Sequence, residues 1–148
     1  MEHPIHTVTT ADYQEIIELW EASVRATHHF LNEEWIAEHR PLILNQYLDM
    51  VDLRCIRNGQ SKILGFSGTA EGNVEMLFVH PDSFGKGVGG ALMKNAIESQ
   101  GATKVDVNED NPQACGFYKS LGFEVTDRSA LDGQGNPFPI LHMTLKTQ

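Results

Sequence analysis

The chain has 148 residues, 41% hydrophobic and 21% charged, a balance that predicts one globular domain over 1–148 and excludes a disordered polypeptide. A formal charge of −9, from 20 acidic against 11 basic residues, leaves no Lys/Arg cluster for a nucleic-acid footprint, while it tolerates a cationic substrate such as an amine. No window approaches eighteen apolar residues, no basic patch and apolar run open the chain, and the two cysteines lack metal-ligand spacing, so the expectation is a cytoplasmic protein, monomer or homodimer, with reduced thiols, no metal and no membrane contact.

Ile5 to Val8 alternates and predicts a first strand. Thr9 or Thr10 caps a helix to about Thr27, with Ile17, Trp20, Val24 and His28 on one face. Asn32, Glu33 and Glu34 open a second helix that carries Trp35 and Ile36 and continues past Pro41 through Leu44 and Leu48. The period then changes to two. Leu53 to Arg57, Ile63 to Thr69 and Val74 to Val79 are strands joined by Asn58-Gly59 and Glu71-Gly72-Asn73, which makes an antiparallel meander.

Val88, Ala91, Leu92 and Ala96 share a face of a third helix ending near Gly101, followed by a strand from Lys104 to Asn108 that should lie parallel to the 74–79 strand. Asn111-Pro112 opens a fourth helix through Ala114, Phe117, Tyr118 and Leu121, stopped by Gly122. Phe123 to Thr126 and Ile140 to Leu145 are the last strands, separated by a turn-rich stretch over 132–137 that reads as a mobile loop.

The most informative segment is Val79 to Leu92, a strand end, a glycine-dense turn and a helix start in succession. Glycines at 85, 87, 89 and 90 clear side chains from the main chain, and the first helical turn has N–H groups without internal partners, so the segment suits a pyrophosphate. A Walker loop is excluded because Lys86 precedes Gly87 and no Ser or Thr follows it. Gly85-x-Gly87-x-x-Gly90 has the letters of a dinucleotide fingerprint, but past the middle of a chain too short for a doubled Rossmann sheet. A tight strand-to-helix turn without a ligand is the plain alternative.

Two segments together resemble the GNAT superfamily of N-acetyltransferases, and the resemblance covers nearly the whole chain. The signature Arg/Gln-x-x-Gly-x-Gly/Ala before the third helix is met at Gly87 and Gly89 and broken at Phe84; the later pattern is met by Asn111, Ala114, Tyr118, Gly122 and Phe123. The resemblance implies an α/β fold with a mixed, twisted sheet of about seven strands, four helices and splayed central parallel strands. It also implies acetyl-coenzyme A as co-substrate and direct transfer to a primary amine of a small molecule or peptide. A non-catalytic coenzyme A sensing module of the same fold is the alternative.

Site roles follow from the same resemblance. Main chain at Leu77, Phe78 and Val79 would pair with the pantetheine arm, and the N–H near Leu77 would polarise the thioester carbonyl. Gly85, Lys86, Gly87, Val88, Gly89 and Gly90 would hold the pyrophosphate, with Lys86 as a point charge. Asn108 and Asn111 would bond the pantetheine, although Asn111 also fits as a helix cap alone. Tyr118 is the candidate general acid, or one more aromatic beside Phe117 on a buried face. Glu75 is the candidate base, or a solvent-facing strand glutamate. His28 and Phe30, between the first two helices, are candidate acceptor-binding residues, His28 alternatively being an interior histidine.

Overall fold

The computed structural model describes residues 3–28, 31–132 and 135–146. In chain order the elements are β1 (Ile5–Thr7), α1 (Tyr13–Thr27), α2 (Glu33–Leu42), β2 (Asp52–Arg57), β3 (Ile63–Ala70), β4 (Asn73–Val79), α3 (Val88–Gln100), β5 (Lys104–Asn108), α4 (Pro112–Ser120), β6 (Phe123–Ser129) and β7 (Ile140–Leu145). One seven-stranded sheet takes the order β1-β2-β3-β4-β5-β7-β6, antiparallel throughout except where β4 meets β5. This is the mixed sheet with four helices that the sequence predicts.

The second helical segment continues past Pro41 through Leu48 as expected, but its winding changes. Asn32 caps it, its side chain accepting the Trp35 N–H at 2.8 Å, but the regular helix ends at Leu42. Pro41 has no N–H to return to the preceding turn, and the chain continues as a wider turn over Ile43–Tyr47 and a tight one over Leu48–Met50. The last strands also differ, because β6 runs to Ser129 with Thr126 as an extra residue against β7. In the stretch read as a mobile loop, Asp132 Oδ1 accepts the Asn136 N–H at 2.9 Å and closes a turn; Gly133 and Gln134 lie outside the described residues.

Two apolar layers sandwich the sheet. On one face Ile16, Ile17, Trp20 and Val24 of α1 pack with Leu53, Cys55 and Phe66 of the meander. On the other, Met93 and Ala96 of α3 and Cys115 and Tyr118 of α4 pack with Val74, Val105, Val107, Phe123 and Met143, and Val88 and Leu92 pack on Ile56.

The decisive irregularity is in β4. Gly68 stands opposite Met76 but Thr69 stands opposite Val74, so Glu75 is an extra residue, a β-bulge. The bulge inverts the strand's phase: Val74 faces the α3/α4 layer, and beyond Glu75 it is Leu77 and Val79 that pack on that side while Met76 and Phe78 turn to α1. Pairing with β5 stops at the same place, with only Asn73–Lys104 and Val74–Val105 in register. The two central parallel strands part there, as the splay expected from the resemblance requires.

Helix α3 seats its first turn directly on β3. A Cβ built on Gly65 would lie 2.7 Å from Val88 Cγ1, 3.1 Å from the Phe78 carbonyl oxygen and 3.3 Å from Leu92 Cδ1, so only glycine permits this approach. Substituting Gly65→Ala is expected to cost about 1–3 kcal/mol by forcing α3 off the sheet. A denaturant titration of both proteins checks this, and an unchanged midpoint would show that the helix start does not depend on that contact.

Candidate active site

The parting of β4 from β5 opens a cavity of about 370 Å³ lined from four elements: the end of α1, the end of β4, the loop into α3, and α4. Its main-chain surface follows from strand alternation. His80 N–H donates to the Leu64 carbonyl of β3 at 2.8 Å, so in an antiparallel ladder Phe78 also bonds toward β3. The N–H and C=O of Leu77 and Val79 therefore point away from β3, into the opening. Leu77, Phe78 and Val79 all line the cavity.

The glycine loop forms the next wall. Gly85 and Gly87 adopt positive φ, 76° and 83°, and Gly87 caps α3 from the left-handed region, where a side chain would be strained. Ala91 N–H is bonded to the Gly87 carbonyl at 3.0 Å, which leaves the amides of Val88, Gly89 and Gly90 without intrahelical acceptors. All three residues line the cavity, as do Gly85 and Gly87. Lys86 does not. It is exposed, and its carbonyl oxygen accepts from His3 Nε2–H at 2.8 Å, so the point charge expected here is not part of the lining. Among the described residues the lining holds no lysine or arginine.

Helix α4 supplies Tyr118 and Asn111. Tyr118 is 7% exposed, fixed between Phe117, with ring centroids 5.3 Å apart, and the edge-on ring of Phe123 at 6.1 Å. Burial pushes its phenol well above the ordinary tyrosine range, with the neighbouring Cys115 adding to the rise. Asn111 lines the cavity while its Oδ1 accepts the Ala114 N–H at 3.2 Å, so capping and lining coexist in one side chain. Asn108 is outside the lining, and its carbonyl accepts the Asn111 N–H at 3.0 Å and the Cys115 S–H at 3.7 Å. Both cysteines are buried free thiols raised by desolvation, so neither is a ready nucleophile.

The far end of the cavity belongs to α1. His28 lines it, its ring 6.4 Å from that of Phe78. Thr27 Oγ1 donates to the Ser23 carbonyl at 2.8 Å and lies 2.7 Å from His28 Nδ1. A hydroxyl has one proton, so Thr27 must accept from His28 Nδ1–H, which puts the lone pair of the neutral ring on Nε2. Phe30 lies outside the described residues. Glu75 is exposed at the bulge and outside the lining. Sequence reasoning missed Ser23, Thr27, Ser83 and Gln113 as lining residues. For Ser23 a signal existed, since it interrupts the apolar stripe of α1 three residues after Trp20 and is still only 4% exposed.

A family model described as an acetyltransferase (GNAT) domain matches residues 32–125. The chain belongs to the GNAT family of acetyltransferases. This GNAT domain is 37% identical over 130 residues to the peptidyl-lysine N-acetyltransferase YjaB of Escherichia coli, covering 88% of each chain. The solution structure of apo YjaB from Escherichia coli superposes with a TM-score of 0.88 at 34% identity over 100% of both chains. The PaiA N-acetyltransferase of Thermoplasma acidophilum in complex with coenzyme A shares the fold, with a TM-score of 0.73 at 19% identity over 97% of this chain and 99% of that one. Among the described residues no helix is long and apolar enough to cross a membrane and no group of side chains is set to hold a metal.

The Tyr118 environment has a consequence for stability. Below about pH 10 the phenol is protonated in folded and unfolded chains alike; above it the unfolded chain ionises first, so stability falls as pH rises. Tyr118→Phe should flatten the fall in Tm on the alkaline side, read by thermal melts across that range. Equal slopes would mean that the phenol is not desolvated.

Proposed function

We propose that this GNAT domain transfers the acetyl group of acetyl-coenzyme A to the side-chain amine of a peptidyl lysine. The observation that carries the proposal is the one cavity that outward-facing β4 main chain, the orphan amides of α3 and the buried Tyr118 together line. The named activity of the 37% identical relative supports the choice of acceptor.

Each wall fits one part of the co-substrate. Leu77 and Val79 offer a strand edge to the amides of the pantetheine arm, while Val88, Gly89 and Gly90 offer three N–H groups and the positive end of a helix to the diphosphate. The bound thioester supplies the acetyl group. Leu77 N–H donates toward the thioester carbonyl oxygen and stabilises the charge that grows there as the amine adds. Tyr118, protonated throughout the neutral range, donates to the departing sulfur.

The acceptor nitrogen loses two protons on the way from ammonium to amide: one before attack, which passes through a base to solvent, and one from the adduct, which balances the proton that Tyr118 gives to sulfur. A lysine ammonium has a pKa of about 10.4 and is charged at neutral pH, so it needs an acceptor before attack. His28, on the cavity wall with its basic nitrogen defined by Thr27, takes this role in preference to Glu75.

Release of free thiol with a lysine-containing peptide tests the proposal. Tyr118→Phe should lower kcat by about a hundredfold while changing coenzyme A affinity by less than about twofold. His28→Gln should lower kcat by about tenfold or more, and Glu75→Gln by less than about threefold. Tight binding of acetyl-coenzyme A with no thiol release from any peptide would favour the non-catalytic sensing module instead.

A further inference from the structure

The end of the cavity nearest the glycine loop carries an aromatic ring that the proposed chemistry does not use. Phe84 is 41% exposed and sits in extended backbone immediately before Gly85, the first positive-φ glycine of the loop. Of the large hydrophobic residues left exposed among the described residues, Met50, Phe84, Val125 and Leu131, it alone lines the cavity. Scattered exposed hydrophobics are ordinary, but a phenyl ring beside a row of orphan amides is placed against whatever those amides bind.

The ring also stands at the first position of the loop signature, where the pattern asks for Arg or Gln, and among the described residues no lysine or arginine replaces the missing side chain in the lining. A phenyl ring gives a phosphate nothing. What it offers is a flat face for a flat partner, and the nucleotide end of coenzyme A contains one flat group, the adenine ring, attached through ribose to the diphosphate. We propose that Phe84 is a stacking platform for the purine of coenzyme A, contributing by ring-on-ring contact what this loop lacks in charge. The position relative to the other walls fits, since the β4 edge and Tyr118 take the thioester end and α1 takes the acceptor, which leaves Phe84 with the nucleotide.

The inference rests on coenzyme A being the ligand, and calorimetry with two ligands separates the two ideas. Coenzyme A carries the purine; 4′-phosphopantetheine has the same arm and one phosphate without it. Phe84→Ala is expected to weaken coenzyme A by about tenfold and leave phosphopantetheine unchanged, while Phe84→Trp keeps or tightens coenzyme A binding. The adenine H2 and H8 resonances should shift upfield in complex with the unaltered protein and lose that shift with Phe84→Ala. Equal weakening of both ligands, or no weakening of either, overturns the stacking role while leaving the acetyltransferase proposal intact. An unaltered chain that binds no coenzyme A removes the acetyltransferase proposal itself, and the stacking role with it. Because Phe84 is substantially exposed, Tm should be unchanged in both variants, so a loss of affinity reports the contact and not the fold.

Discussion

The site depends on one backbone event, the separation of β4 from β5 after two paired residues. Parallel neighbours in a sheet ordinarily continue to pair until one of them ends, because each abandoned N–H or C=O in a half-buried place costs on the order of 1–3 kcal/mol. Here the ladder stops at Val74–Val105 while β4 runs on to Val79 and β5 to Asn108. Glu75 makes this possible, since the extra residue rotates the rest of β4 by one phase and bends it away. The fold thus holds an unfinished sheet edge inside the molecule, of the kind that an extended chain bearing amides can complete.

Both lips of the opening are pinned from outside. On the β4 side, α3 lies so close to β3 that Gly65 has no room for a methyl group, which places the orphan amides of the helix start at the end of the exposed strand edge. On the β5 side, side chains tie the strands together across the sheet: Asp106 Oδ1 lies 2.7 Å from His142 Nδ1, His142 Nε2 lies 2.7 Å from Ser129 Oγ, and Thr126 and Thr144 hydroxyls are 3.1 Å apart. The Asp106–His142–Ser129 chain has the order of a nucleophilic triad, yet Ser129 does not line the neighbouring cavity of about 330 Å³ that Asp106 and His142 border. It joins β5, β7 and β6 through their side chains.

Periodicity and turn chemistry made the elements legible. The meander, the glycine loop and the Asn-Pro start of α4 each rest on local constraints that a sequence displays. Tyr118 was legible through the resemblance, as the tyrosine of the pattern Asn111, Ala114, Tyr118, Gly122 and Phe123, and the structure places it buried on α4 against the cavity. The bulge at Glu75 was not. Its trace is the run Met76-Leu77-Phe78-Val79, apolar on both faces, which reads equally well as a fully covered strand; only the partner register shows that the run flanks an opening. Asn108 illustrates a second limit, because residue type advertises a side chain whereas the structure uses its carbonyl. Ser23 and Thr27 were hidden within the apolar stripe of α1, where polar interruptions usually satisfy the helix's own carbonyls, as Thr27 does here while also orienting His28.

The distribution of charge divides the two substrates between two kinds of force. Among the described residues the lining offers an anion no lysine or arginine, only amides and a helix terminus, whose attraction is confined to contact distance. A chain of net charge −9 repels an anion at long range, so on the reading proposed above short-range dipoles and the Phe84 ring carry cofactor recognition. The same field draws a cationic acceptor toward the protein before any contact is made. On the function proposed above, an ammonium that loses a proton at the wall formed by Ser23, Thr27 and His28 loses with it the long-range attraction that brought it. Among the described residues the lining holds no lysine or arginine, so burial dominates the setting of Tyr118 and keeps its phenol protonated, as the role proposed for it as donor to sulfur requires.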